Sequence, residues 1–210
     1  YKSPLLCRRI FSYNGYLTML LLIAGLLLFM ATHSISIFNP GLRNRMVASY
    51  GEKQWKLAYS IISIASFIMI IYGYGAARLD PVWLWQPPVA LRHLALLLTV
   101  PAFVLLAAAY VPGNRIKAKL GHPMYVSVKI WAFAHLLANG TLADVLLFGS
   151  FLAWAIAGFA VSRRRDRLNQ ISRPAGTTSK DMVTVIVGLV SWAVFAMFLH
   201  TLLIGVNPLP

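Results

Sequence analysis

Three histidines, His33, His135 and His200, lie inside long apolar runs that hold almost no other ionisable side chain. Imidazole is a versatile ligand for transition metals. Of the five acids, Glu52, Asp80, Asp166 and Asp181 fall in polar stretches, and Asp144 opens an apolar run. The single cysteine, Cys7, precedes the first run, so no Cys-based metal site or intrachain disulfide is available. Two imidazoles on facing helices, with no carboxylate or thiol nearby, suit haem iron. Non-haem iron or zinc would ask for a carboxylate or a third close ligand. Each histidine also has a plainer reading, as an interhelical hydrogen bonder.

The polar side chains concentrate in one stretch, HPMYVSVKIWAFAHLLANG at 122–140. Lys129 is the one formally charged group deep in an apolar run. It either snorkels to the interface or meets an acid from outside the chain, such as a cofactor propionate or a lipid phosphate. Lys129 precedes His135 by six residues, about 9 Å along one helix, so a propionate of a haem held by His135 would come within its reach. Ala132 and Ala134 beside His135, and Ala193 and Ala196 below His200, leave room for a flat ring or for close helix packing. His122 precedes Pro123 and reads as a helix cap; His93 reads as interfacial.

These residues need apolar helices to hold them. Of 210 residues, 59% are hydrophobic, which excludes an ordinary soluble domain and predicts an all-α integral membrane protein. Alternating strands of a β-barrel are absent. About six transmembrane helices are expected, near 16–38, 57–75, 94–111, 123–139, 142–161 and 182–206. Residues 1–15 form a polar, basic segment and 16–210 a transmembrane domain. The chain opens on Tyr1, so further residues upstream are expected, and no cleavable signal is read. Pro101 should kink the third span, and Trp83 and Trp85 should cap an interface.

The net charge of +14 reflects loops rather than nucleic-acid binding. Loops 39–56, 113–121 and 162–181 carry 13 Lys and Arg, and the opposite side carries 5. The positive-inside rule puts those loops on the inner, cytoplasmic or matrix-like side, with both termini together on the other. The expected setting is a bacterial inner membrane or an organelle inner membrane.

The order and spacing of several motifs resemble the NnrU family, which includes the 15-cis-zeta-carotene isomerases. They are His33-Ser34, GLR at 41–43, IYGYGAAR at 71–78, LRHLALLL at 91–98, the 122–140 stretch, LLFGSFLAW at 146–154 and LIGVNPLP at 203–210. The resemblance implies a membrane protein holding haem b, with His33 and His135 at the positions of the axial ligands. Its bacterial branch implies a link to nitric oxide and nitrite metabolism, hence denitrification. Its isomerase branch implies haem-dependent cis–trans isomerisation of an apolar polyene. The isomerases carry a cysteine three residues before the second histidine, where this chain has Ala132. That difference argues against ligand switching.

Helix geometry pulls another way. In a six-span topology His33 and His135 differ in depth by on the order of 10–15 Å, whereas His200 is level with His135. His135 is thus the firmest ligand, with His33 or His200 opposite. Two other functions stay open. The HPMY hairpin is similar to isoprenylcysteine carboxyl methyltransferases, although the segment after the fifth span, SRRRDR at 162–167, lacks their paired glutamates. The scarcity of polar groups also fits a non-catalytic subunit of a larger membrane assembly.

Overall fold

The computed structural model describes residues 4–209, with side chains from Leu17 onward. The basic side chains expected at 1–15 therefore lie outside the described residues. The described chain is helical, and its only β pairings are two isolated bridges, Trp83 with Thr141 and Asn114 with Thr177. The helices are α1 (Pro4–Phe38), α2 (Pro40–Tyr50), α3 (Glu52–Ala77), α4 (Val89–Tyr110), α5 (Arg115–Leu120), α6 (Pro123–Ala138), α7 (Leu142–Leu168), α8 (Thr178–Val194) and α9 (His200–Ile204). A π turn, Phe195–Leu199, joins α8 to α9.

Among the described residues five helical stretches are long and apolar enough to cross a membrane: Leu17–Phe38, Glu52–Ala77, Val89–Tyr110, Leu142–Leu168 and Thr178–Ile204. The fourth expected span, α6, has 16 residues. At 1.5 Å per residue it covers about 24 Å, short of the roughly 30 Å hydrocarbon layer. All three stretches expected as loops contain helix, with α5 lying inside 113–121. Within 39–56, Asn39 caps α2 by accepting from the Leu42 N–H at 3.0 Å, and Pro40 occupies the first turn, where its missing N–H costs nothing. At 162–168, the basic run simply continues α7, because arginine is a good helix former and Pro174 comes only after the helix has ended.

The chain divides into two compact units. The first comprises Tyr1–Leu84 and Thr141–Ser150, and its core is α1 against α3. The backbones meet closely: a Cβ on Gly73 would lie 2.5 Å from the Leu22 nitrogen. Leu22 and Ser66 are fully buried there, and the Ser66 hydroxyl donates to the Ile62 carbonyl at 2.7 Å. Small residues are what let two helices approach without a hydrophobic driving force. Thr141 and Asp144 start α7 reciprocally. The Thr141 N–H and hydroxyl donate to Asp144 Oδ2 at 2.9 and 2.6 Å, and the Asp144 N–H donates back to Thr141 Oγ1 at 3.3 Å. The Tyr74 hydroxyl donates to the other carboxylate oxygen at 2.6 Å, which satisfies a buried acid.

The second unit comprises Trp85–Gly140 and Phe151–Pro210. Its centre is α4, packed on α6 and α8. A Cβ on Gly188 would lie 2.5 Å from Val104 Cα, so α8 can approach α4 only with glycine there. Pro101 sits inside α4 and leaves the Leu97 carbonyl without its i+4 donor. Around this break, Ser127 Oγ donates to the Ala102 carbonyl at 2.7 Å and Trp192 Nε1 donates to Thr99 Oγ1 at 2.9 Å. Both bonds tie neighbouring helices to α4 by groups that would be costly to leave unpaired in lipid.

Candidate functional site

The three histidines inside apolar helices share one hydrogen-bond pattern, Nδ1 on a backbone carbonyl. His33 Nδ1 bonds the Phe29 carbonyl at 2.8 Å, and His135 Nδ1 bonds the Trp131 carbonyl at 2.8 Å. Both partners lie one turn earlier on the same helix. His200 Nδ1 bonds the Val206 carbonyl at 2.7 Å. A carbonyl only accepts, so each Nδ1 carries a proton, and the tautomer so fixed has its lone pair on Nε2. Anchoring one ring nitrogen on a backbone carbonyl is the usual way a protein fixes the tautomer and direction of a metal-binding imidazole.

The aromatic surroundings repeat too. His33 stacks on Phe29, the residue whose carbonyl it uses, at 3.9 Å between centroids and 23° between planes. Tyr59 of α3 stands 5.3 Å away. His135 leans on Trp131 at 5.0 Å and 50°. Phe195 meets the His200 ring edge-on at 5.9 Å. The first two pairs have i,i+4 spacing, and the third is i,i+5, which the π turn accommodates by letting the His200 N–H donate to the Phe195 carbonyl. The strings FMATH at 29–33 and WAFAH at 131–135 hold the spacing, although the pairs emerge only with the bonds; the i+5 pair has no such local pattern.

The alanines expected to leave room beside His135 are packed. Ala132 and Ala134 are fully buried, and Ala196 beside His200 is 5% exposed. Their small size serves close packing, the second of the two readings above. Lys129 extends towards the N-terminal end of α6 and places Nζ 4.0 Å above the centre of the Phe159 ring on α7. Among the described residues it has no carboxylate partner. The aromatic face gives the ammonium a favourable field where water is scarce.

His122 does not cap α6. It holds the N-cap position, but its side chain makes no bond to the first turn. Its Nε2 instead meets Asp166 Oδ2 at 2.9 Å, where Arg173 Nη2 also donates at 2.6 Å. An adjacent carboxylate competes better for an imidazole than uncharged backbone N–H groups do. The cluster joins a loop, α6 and α7, and no single stretch of sequence displays it. His93 is exposed on the first turns of α4. Among the described residues no group of three or more His, Cys, Asp or Glu is placed to hold a metal ion.

A family model described as NnrU protein matches residues 21–208. The chain belongs to the NnrU family. The matched range contains His33, Lys129, His135 and His200 and every helix except the start of α1. No curated protein and no solved structure matches the chain significantly. Family membership and five membrane-length apolar helices together make this an NnrU-family protein of the lipid bilayer.

Proposed function

We propose that this NnrU-family chain binds haem b in the membrane, with His135 as a ligand that would hold its iron. One observation carries the reading: the bond from His135 Nδ1 to the Trp131 carbonyl, which leaves the lone pair on Nε2. The donor chemistry of the residues present fits the group, since His33 and His200 are held in the same tautomer. The family resemblance implies His33 as a second ligand, and the depth argument implies His200 instead. In this reading α6 is a sixth, short crossing, both termini share a side, and the basic segments face inwards.

Bound haem supplies an iron that can change oxidation state or coordinate a substrate. The chain's own contribution is different. It orients the imidazoles through backbone carbonyls, flanks them with aromatic rings, and offers Lys129 as the cation for a propionate. If the protein is catalytic, the resemblance implies cis–trans isomerisation of an apolar polyene; its bacterial branch implies a part in nitric oxide or nitrite metabolism. The test is the visible spectrum of the purified chain, oxidised and reduced, after expression with iron and a haem precursor. A Soret band lost in His135→Ala supports the proposal. A colourless, iron-free protein that is folded and monodisperse overturns it.

A further inference from the structure

At the N-terminal end of α6, within the second unit, two guanidinium groups converge on Gly121. A Cβ there would lie 3.0 Å from Arg173 Nη1 and 3.2 Å from Arg163 Nη1. The two like charges therefore sit within about 6 Å of each other, a repulsion that calls for an anion. Gly121 has a φ of +77°, so both its backbone and its missing side chain suit glycine alone.

The anions on hand are already engaged. Asp166 Oδ2 takes Arg173 at 2.6 Å and His122 at 2.9 Å. Asp181 accepts from the Arg115 N–H at 2.6 Å. Across residues 113–121 and 162–181, nine Lys and Arg face these two acids. Among the described residues Arg163 has no carboxylate partner. Donors are in excess as well. The first turn of α6 receives no side-chain cap, so its outward N–H groups add positive potential beside the guanidiniums. Tyr125 lies 6.2 Å from the His122 ring and 5.3 Å from Trp154, whose indole N–H is buried with no acceptor among the described residues.

We propose that this corner binds a phosphate anion, with Arg163 as its main ligand and Arg173 and the first turn of α6 beside it. An anionic lipid headgroup is the source that fits. The apolar part of α7 ends near Val161, which puts Arg163 at the level of headgroup phosphates, and guanidinium matches phosphate oxygens two at a time. The site is independent of any haem.

The experiment uses the full chain in zwitterionic nanodiscs, titrated with short-chain phosphatidylglycerol, phosphatidylcholine or inorganic phosphate. Arg163→Gln is compared with Arg164→Gln, which removes the same charge from the exposed neighbouring position. The expected result is about tenfold weaker phosphatidylglycerol binding in Arg163→Gln and under about twofold in Arg164→Gln. Arg163→Lys, which keeps charge but loses the fork, should fall between. Equal losses in the Gln variants, at matched melting temperatures, mean diffuse attraction and overturn the site. Competition by inorganic phosphate at equal affinity retains the anion chemistry and overturns the lipid as its source.

Discussion

His122 and His135 sit at opposite ends of one helix, and they use opposite nitrogens. His122 commits Nε2 to Asp166 at 2.9 Å, beside Arg173. His135 commits Nδ1 to the Trp131 carbonyl at 2.8 Å. The first is a member of a charged network at the basic end of the second unit. The second is held by its own helix, with the lone pair of the ring on Nε2. Residue type therefore does not tell a structural imidazole from a ligand-capable one. The partner does: a carboxylate holds His122 by Nε2, and a carbonyl holds His135 by Nδ1.

The sharpest way to break this comparison is to remove each ring. His135→Ala should abolish haem binding, read as Soret absorbance per protein, while His122→Ala should keep it. Equal loss in both would collapse the distinction. A smaller effect is expected from Asp166→Asn. It strips the carboxylate from two partners that are only partly exposed, and should lower stability by about 2 kcal/mol without changing haem content. A melt in detergent checks the first part and a pyridine haemochrome assay the second.

Between the two ends lies Lys129. Lys129→Met should lower haem retention at matched expression, and Lys129→Arg should be milder because charge is kept. Haem content equal to the parent in Lys129→Met would reduce the lysine to an interfacial anchor. The smallest effect belongs to its aromatic partner. Phe159→Leu keeps the apolar volume and removes the ring face, so a loss of about 0.5–1 kcal/mol in stability is expected. No change at all in the melt would mean that Nζ finds the interface equally well.

The helical class, five of the expected spans and the family were legible: apolar runs near bilayer length are a one-dimensional signal, and the family motifs are local strings. The three histidines in apolar runs were legible for the same reason: an ionisable group stands out against leucine and alanine. Local spacing also carried the i,i+4 aromatic–histidine pairs, although they emerged only once the bonds were visible. The cap reading of His122 failed because the residue that claims its ring, Asp166, lies 44 positions away. The alanines beside His135 were ambiguous in sequence, since small size serves a cavity and a tight interface equally, and packing decided for the interface.

Composition and hydropathy, then, determined that this chain lives in a bilayer as helices, because every backbone polar group must be satisfied within its own segment there. They also determined which side chains would be costly in that setting. Tertiary structure decided how each cost is met: Lys129 by an aromatic face, Asp144 by Tyr74 and Thr141, His122 by Asp166 and Arg173. It decided too that Phe195 would stand under His200, by inserting a π turn into a helix that hydropathy alone reads as continuous. Hydropathy sums over residues and is blind to partners, whereas the partner of a polar group in lipid is set by which helices meet and in what register.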